Sequence, residues 1–180
     1  FTMAFDREVP LLPVFVWFYI LAFPFWAVGY LLAARRGKDM FYRFVATDLT
    51  IHFICFICFI LIPTTNIRPE IPGNTLSEKI LALVYSLDGG NSPSNLFPSI
   101  HCYVSWMCWK GVEGSEKVPK WYQRFSLVFA ILIIISTQVL KQHYIVDAAA
   151  ALLLVEFFWR FYQKGQRHKW VVHVFAHKKK

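Results

Sequence analysis

The chain has 180 residues, of which 57% are hydrophobic and 18% are aromatic, and its formal net charge is +8 at pH 7. Soluble domains reach only about 45–50% apolar residues even with glycine included, so this composition excludes an ordinary cytosolic globule and a disordered chain. The lysines and arginines lie between apolar runs instead of forming one basic face, which argues against a nucleic-acid-binding protein.

Five apolar stretches, taken in chain order, predict an all-α membrane helix bundle. The first two carry no Asp, Glu, Lys or Arg and cover Val9 to Ala34 and Leu49 to Ile67. A third helix is expected to open at Pro98, because proline is favoured at the first helical position, and to run to about Trp109. The fourth stretch is Phe125 to Leu140, and the fifth runs from His143 to about Phe161. We treat residues 1–180 as a single membrane-embedded domain.

The connection 63–97, between the second and third stretches, carries its own helical signal. Thr75 and Glu78 fit a capping box, and apolar residues follow them at helical spacing as far as Leu87. We therefore predict a short amphipathic helix over residues 76–87. Its role is either that of an interfacial anchor or that of a lid or lipid entrance beside a site.

The distribution of basic residues predicts the orientation in the membrane. Lysine and arginine occur 15 times in the first loop, the third loop and the tail, but only 4 times in the alternate segments. Cytoplasmic loops are enriched in these residues, so the basic tail 163–180 is expected to be cytoplasmic. Lys178 to Lys180 would then contact anionic lipid. The connections 63–97 and 140–143 are expected to face the extracytoplasmic side.

Four ionisable residues are predicted to converge on the extracytoplasmic side: Arg68, His101, His143 and Asp147. His143 and Asp147 are four residues apart, so they share one face of a helix, where a carboxylate can orient an imidazole ring. Arg68 supplies a permanent cation for phosphate. Together with the helix that begins near His101, these residues describe a phosphoryl-transfer site. A second pair, Asp48 and His52, lies towards the cytoplasmic end, where structural pairing is expected.

At these positions the chain resembles the type 2 phosphatidic acid phosphatase superfamily. The resemblance lies in Arg68-Pro69, in Pro98-Ser99-Ile100-His101, and in Ser136-Thr137 followed by His143 and Asp147. It covers residues from about 60 to 150. The superfamily includes lipid phosphatases, undecaprenyl pyrophosphate phosphatases and, more distantly, sphingolipid phosphotransferases. Its members usually have six spans, which implies that a further helix precedes Phe1 in the full protein.

The resemblance also implies roles for individual residues. His143 would attack phosphorus to form a phosphohistidine, Asp147 would orient it, and His101 would act as general acid and then as general base. Arg68, Ser99 and Ser136 would bind the phosphate, and no metal or cofactor is expected. The implied substrate is a lipid phosphate or a phospholipid, and no nucleic-acid partner is expected.

Two positions depart from the family pattern, and they leave three functions open. The family's first motif usually has a lysine where this chain has Leu61, and its third motif has an arginine where this chain has Thr137. Either Lys141 replaces these cations, or the enzyme prefers a phosphodiester, which carries less charge. The first function is therefore a lipid phosphatase. The second is a headgroup phosphotransferase similar to inositol phosphorylceramide synthases, and the third is a lipid-binding relative without catalysis.

Overall fold

The protein is represented by a computed structural model that describes residues 4–90 and 93–176. Throughout the described part, the regular elements are helical, which confirms the predicted all-α class. They are α1 (Ala4–Glu8), a 3₁₀ turn (Pro13–Phe15), α2 (Val16–Ala34), α3 (Lys38–Leu61), α4 (Leu76–Leu87), α5 (Ile100–Val112), α6 (Lys120–Val139), α7 (Ile145–Gln163) and α8 (Lys169–Ala176). The predicted lipid contact of Lys178 to Lys180 lies outside the described residues.

Three segments of the described chain are long and apolar enough to cross a bilayer: Pro13–Ala34, Lys38–Leu61 and Lys120–Val139. They correspond to three of the five predicted stretches. Helix α5 has 13 residues, about 20 Å of helix, which is shorter than a hydrocarbon core of about 30 Å. Helix α7 has 19 residues but carries three charged side chains. Membrane crossing by α5 and α7 therefore stays a prediction.

The boundaries of α3 differ from those predicted for the second stretch. The helix begins at Lys38 instead of Leu49, because its charged first turns find partners that hydropathy cannot anticipate. Arg43 donates to Asp39 at 2.8 Å and to the carbonyl oxygens of two residues at the end of α7. The uncharged run extends to Ile67, but the helix ends at Leu61, close to the end expected at Pro63, because proline disfavours helical geometry at the residue before it.

The long helices alternate in direction, which gives the bundle two distinct ends. Tyr19 near the beginning of α2 stacks on His101 at the beginning of α5, with ring centroids 4.3 Å apart. The amide of Ser99 donates to the carbonyl of Asp147 at 3.3 Å and joins the beginnings of α5 and α7. At the other end, Arg36 donates to the carbonyl of Lys110 at 3.3 Å. We call these the site end and the basic end; the basic end comprises residues 35–38, 110–124 and 160–176.

Helix α5 lies in the centre of the bundle, and the outside of the bundle is apolar. Tyr103 and Met107 of α5 are fully buried among the other helices. By contrast, Leu31, Phe53 and Leu153 are each more than 60% exposed on three outer helices. An apolar exterior around a packed interior is typical of a bundle that is surrounded by lipid.

The connection from 62 to 99 is fastened to the site end. Thr75 and Glu78 form the capping box described above, at the beginning of helix α4. One face of α4 is buried, and the hydroxyl of Tyr85 donates to the carbonyl of Leu140 at 2.7 Å. Asn66 donates to the carbonyl of Lys141 at 2.6 Å. These bonds hold the connection against the turn that precedes α7.

Candidate active site

His143 lies in the turn directly before α7 and Asp147 in the first turn of the helix, so the pair meets at the helix N-terminus and not, as the spacing predicts, on one helix face. Asp147 caps the helix, because its Oδ2 accepts a hydrogen bond from the amide of Tyr144 at 2.9 Å. The same oxygen lies 3.5 Å from Nδ1 of His143. The Asp147 side chain is 1% exposed and that of His143 is 10% exposed, so this pair is withdrawn from bulk solvent.

His101 faces the same region from the first turn of α5. Its ring centroid is 6.3 Å from that of His143. Tyr19 stacks on one side of the ring, and Trp26 approaches with centroids 5.1 Å apart. Within the described part of the chain, Nε2 of His101 is buried and has no hydrogen-bond partner. An imidazole nitrogen in this state is ready to bond a ligand, since a buried polar atom without a partner is costly.

Ser99 joins the beginnings of α5 and α7, and its side chain caps α5. Its hydroxyl accepts the amide of Cys102 at 3.3 Å as the helix N-cap, and its amide bonds to Asp147 as described. The residue is fully buried. Ser99 therefore fixes the positive end of the α5 dipole beside the two imidazoles, where an anion is favoured.

Ser136 and Thr137 lie in the last turns of α6, and both are fully buried. Their hydroxyls donate to helix carbonyls one turn earlier, at 2.6 and 2.7 Å. The carbonyl of Thr137 accepts the amides of Gln142 and His143 at 2.9 and 3.1 Å. The backbone of Thr137 thus positions the His143 backbone, while its hydroxyl bonds to its own helix and contacts Cys102 of α5 at 3.5 Å.

Arg68 is almost fully buried, and its two terminal nitrogens bond to groups of the protein itself. Nη2 forms an ion pair with Asp88 at 2.6 Å and also donates to the side-chain oxygen of Gln142. Nη1 donates to the carbonyls of Asp88 and Gly90 at 2.9 and 3.0 Å. The guanidinium lies over the Tyr85 ring at 4.6 Å, and burial raises the pKa of that phenol to about 12. Among the described residues, Gln142 bonds to Arg68 and directly precedes His143 in the chain, so it links the two.

A cavity of about 370 Å³ at the site end brings these observations together. Both histidines line it, together with aromatic side chains from α2 and with Asp88 from the end of α4. Its full lining is Tyr19, Phe23, Trp26, Phe59, Asp88, Ser94, Asn95, Leu96, Ile100, His101 and His143. The sequence singled out neither the α2 aromatics nor Asp88. The signal for Asp88 was its place directly before the Gly89-Gly90 pair that ends α4.

Lys141 lies outside this lining. Its Nζ donates to the carbonyl of Asp6 at 2.9 Å and to that of Val9. Burial lowers the pKa of Lys141, and the nearby Asp6 acts in the opposite direction. The lysine therefore ties the 140–143 turn to the N-terminal segment.

Asp48 and His52 belong to a separate polar group, in which Asp48 is buried and His52 is exposed. The hydroxyl of Tyr30 donates to Asp48 at 2.7 Å, and Asp48 lies 3.9 Å from His52. The hydroxyl of Tyr103 contacts the same imidazole. These contacts join α2, α3 and α5, as expected for structural pairing.

Comparison with known proteins gives one family match. A family model described as the PAP2 superfamily matches residues 2–160. This range includes every residue that the sequence assigned to the site. No curated protein and no solved structure matches the chain.

Proposed function

This chain belongs to the PAP2 superfamily of phosphatase-type and phosphotransferase-type lipid enzymes, and we propose that it hydrolyses a lipid phosphate through a phosphohistidine at His143. The observation that carries this proposal is the cavity shared by His101 and His143, with Asp147 behind the second ring. Two imidazoles and an orienting carboxylate are the groups that a double-displacement reaction requires.

In the first step, His143 attacks phosphorus. Its Nδ1 is on the side of Asp147, so Nε2 provides the electron pair that forms the N–P bond. The bond between phosphorus and the lipid oxygen breaks, and that oxygen takes a proton from His101. The Asp147 carboxylate stabilises the positive charge that develops on the His143 ring.

In the second step, His101 accepts a proton from water while the water oxygen attacks phosphorus. The N–P bond breaks, its electrons return to His143, and inorganic phosphate leaves. His101 is then protonated again, so both histidines regain their initial states. The positive end of the α5 dipole at Ser99 favours the anionic phosphoryl group throughout.

We place this reaction on the extracytoplasmic side of the membrane. The proposal rests on the excess of lysine and arginine at the other end of the bundle, which the positive-inside rule assigns to the cytoplasm. The cavity adjoins α4 and the parts of α2 and α3 at the site end. A lipid substrate would therefore enter it from the bilayer.

The test uses purified protein and a panel of lipid phosphates labelled with ³²P. We expect the wild-type protein to release inorganic phosphate and to carry an alkali-stable protein-bound label after a rapid quench. The His143→Ala variant should lose both signals, since it lacks the nucleophile. His173→Ala, which removes an exposed histidine from α8, is the matched control and should retain both. Undiminished phosphate release by His143→Ala would refute the mechanism.

A second candidate function, transfer of a phospholipid headgroup to a lipid alcohol, is favoured by the charge around Arg68. Arg68 is the cation of the family pattern that this chain retains, and it is already paired with Asp88. Leu61 and Thr137, at the positions of the other two family cations, supply no charge. A phosphodiester carries one negative charge, so it needs less neutralisation than a phosphomonoester dianion. In this reaction a lipid hydroxyl would replace water in the second step. A new headgroup-bearing lipid that forms only when an acceptor alcohol is present would distinguish transfer from hydrolysis.

A further inference from the structure

One face of α7 bears a continuous groove that leads from an apolar region to a cationic region. The apolar region is a cavity of about 410 Å³ between α7 and α3, where Ala150, Leu153 and Phe157 face Ile54 and Cys58. A second cavity of about 380 Å³ shares two of these lining residues, Leu153 and Phe157. It continues towards the basic end, where its lining includes Arg160, Lys164 and Arg167. We call the two together the α7 groove.

The spacing along α7 explains why the groove is continuous. Positions 150, 153, 157, 160 and 164 recur every three or four residues, so they share one face of the helix. From Ala150 to Arg160 the helix rises about 15 Å, which is half of a hydrocarbon core of about 30 Å. The apolar region thus has the length of an acyl chain in one leaflet, and the cations lie where that leaflet meets water.

The cationic region has more basic side chains than carboxylates to pair with them. Its carboxylate, Glu156, lies 2.9 Å from Lys110 and 3.3 Å from Arg160, and it also accepts a bond from Trp106. Lys110 also pairs with Glu113 at 3.2 Å, so the two carboxylates offset the charges of Lys110 and Arg160 and leave those of Lys164 and Arg167 in excess. Arg160 is 76% exposed, and Lys164 is also exposed. Arg167 lies over the Phe161 ring at 4.3 Å, which holds its guanidinium at the mouth of the groove.

We propose that the α7 groove binds one anionic phospholipid, separate from the substrate. Its headgroup phosphate contacts Arg160, Lys164 and Arg167, and one acyl chain lies between α7 and α3. Charge complementarity selects the anionic headgroup, and the adjoining apolar cavity selects a lipid over a free phosphate. A substrate molecule would have the opposite orientation, because the histidine cavity is at the other end of the bundle.

The first test measures lipid binding to the purified full chain in detergent. We expect native mass spectrometry to show one retained phosphatidylserine, with phosphatidylcholine bound at least tenfold more weakly. The triple variant Arg160→Gln/Lys164→Gln/Arg167→Gln should bind phosphatidylserine at least tenfold more weakly. Each basic residue near a membrane surface contributes appreciably to anionic-lipid affinity. These side chains are at the surface, so the variant should fold.

The matched control removes the same number of charges from another part of the basic end. In Lys117→Gln/Lys120→Gln/Arg124→Gln, three exposed cations outside the groove are lost, and phosphatidylserine binding should be unchanged. Equal weakening by both triple variants would overturn the proposal, because it would indicate general electrostatic attraction. Equal binding of both lipids by the wild type would overturn it as well.

The second test locates the acyl chain. Phosphatidylserine with a photoreactive diazirine in its acyl chain should label peptides that contain residues 150–157 of α7 or 54–58 of α3. Labelling should decrease in the triple variant that lacks the groove cations. Labelling confined to α2, near Tyr19 and Trp26, would instead place the lipid in the histidine cavity and overturn the proposal.

Discussion

Asp147 has two partners at the beginning of α7, and each of them gives this carboxylate a separate role. It caps the helix through the amide of Tyr144, and it approaches Nδ1 of His143. Capping requires only an acceptor oxygen, whereas stabilising a positively charged imidazole requires the negative charge. The two roles therefore respond differently to replacement by asparagine.

We predict that Asp147→Asn lowers kcat by roughly 10²–10⁴-fold, with little loss of thermal stability. The amide oxygen still accepts the cap bond, but it no longer stabilises the phosphohistidine. Steady-state kinetics and a thermal unfolding curve measure the two effects. Asp6→Asn is the control, because Asp6 accepts the amide of Ile145 at 2.9 Å in the same helix turn and its replacement leaves Asp147 in place. A large loss of kcat in that variant would contradict the assigned role of Asp147.

The sequence predicts that Arg68 is a free cation for phosphate. In the structure, its guanidinium is instead already paired within the protein. Asp88 neutralises its charge, and backbone carbonyls bond Nη1. Asp88 is itself 53% exposed and lines the histidine cavity. The Arg68–Asp88 pair is consequently close to neutral and offers little attraction to a second negative charge on the substrate.

We predict that Asp88→Asn shifts substrate preference towards phosphomonoesters. Removing one paired charge at a partly exposed position is worth up to about 1 kcal/mol, so KM for a monoester should fall by roughly fivefold. The KM for a phosphodiester should change less, because that substrate has one charge fewer. Competition kinetics between the two lipid classes measures the ratio. Glu70→Gln, another carboxylate of the 62–99 connection, is the control, and an unchanged ratio in Asp88→Asn would refute the charge argument.

At the scale of helices, the close approach of α2 to α5 brings an aromatic wall to His101. A Cβ added to Gly29 would lie 2.6 Å from Sγ and 2.7 Å from Cβ of Cys108, so glycine is required for this contact. Tyr19 and Trp26, on the same helix as Gly29, contact His101. Trp26 also donates to Ser105 on α5 at 2.9 Å, which fixes its ring. Packing at Gly29 and Cys108 thus decides the surroundings of His101, which lies seven residues before Cys108 in α5.

We predict that Gly29→Ala destabilises the protein by about 1–3 kcal/mol, although alanine is the better helix former. The added methyl group overlaps Cys108 and pushes α2 from α5, so catalytic turnover should fall as well. Thermal unfolding in detergent measures the loss. Val28→Ile adds a methyl group to the exposed face of the same helix and should leave stability unchanged. A Gly29→Ala protein as stable as the wild type would show that the two helices have room to separate.

At the scale of the whole molecule, chemistry and charge occupy opposite ends. The histidines, Asp147 and Arg68 lie at the site end, while the first loop, the third loop and α8 bring their basic residues to the basic end. Helix α8 packs against α3 there, with Val171 fully buried beside Ala46 and Tyr162. The basic tail is thus, in its described part, a folded element of the bundle.

We predict that the two ends are on opposite sides of the membrane, with the site end outside. In intact cells, a membrane-impermeant maleimide should label Ser86→Cys on α4 but label Glu116→Cys in the third loop only after permeabilisation. Both positions are exposed, so burial does not account for a difference. The reverse pattern would place the site in the cytoplasm, and labelling of both in intact cells would contradict a membrane-spanning bundle.

Local patterns predicted much of this protein because they depend on neighbouring residues. Apolar runs located α2, α3, α5, α6 and α7, and the capping box of Thr75 and Glu78 gave α4. The predicted beginnings at Pro98 and His143 were wrong, since α5 begins at Ile100 and α7 at Ile145. The beginning of α3 was missed as well, because its charged residues bond to the end of α7 and to His168, far along the chain.

The sequence by itself determined the helical class and the superfamily and predicted the candidate catalytic residues, because these properties follow from periodicity and from short motifs. Only the tertiary structure decided what surrounds those residues. It paired Arg68 with Asp88, turned Lys141 towards the N-terminal segment, and placed the α2 aromatics on His101. Each of these contacts joins residues that are far apart in the chain. It therefore depends on how the helices pack and on which charges must be balanced once they are buried.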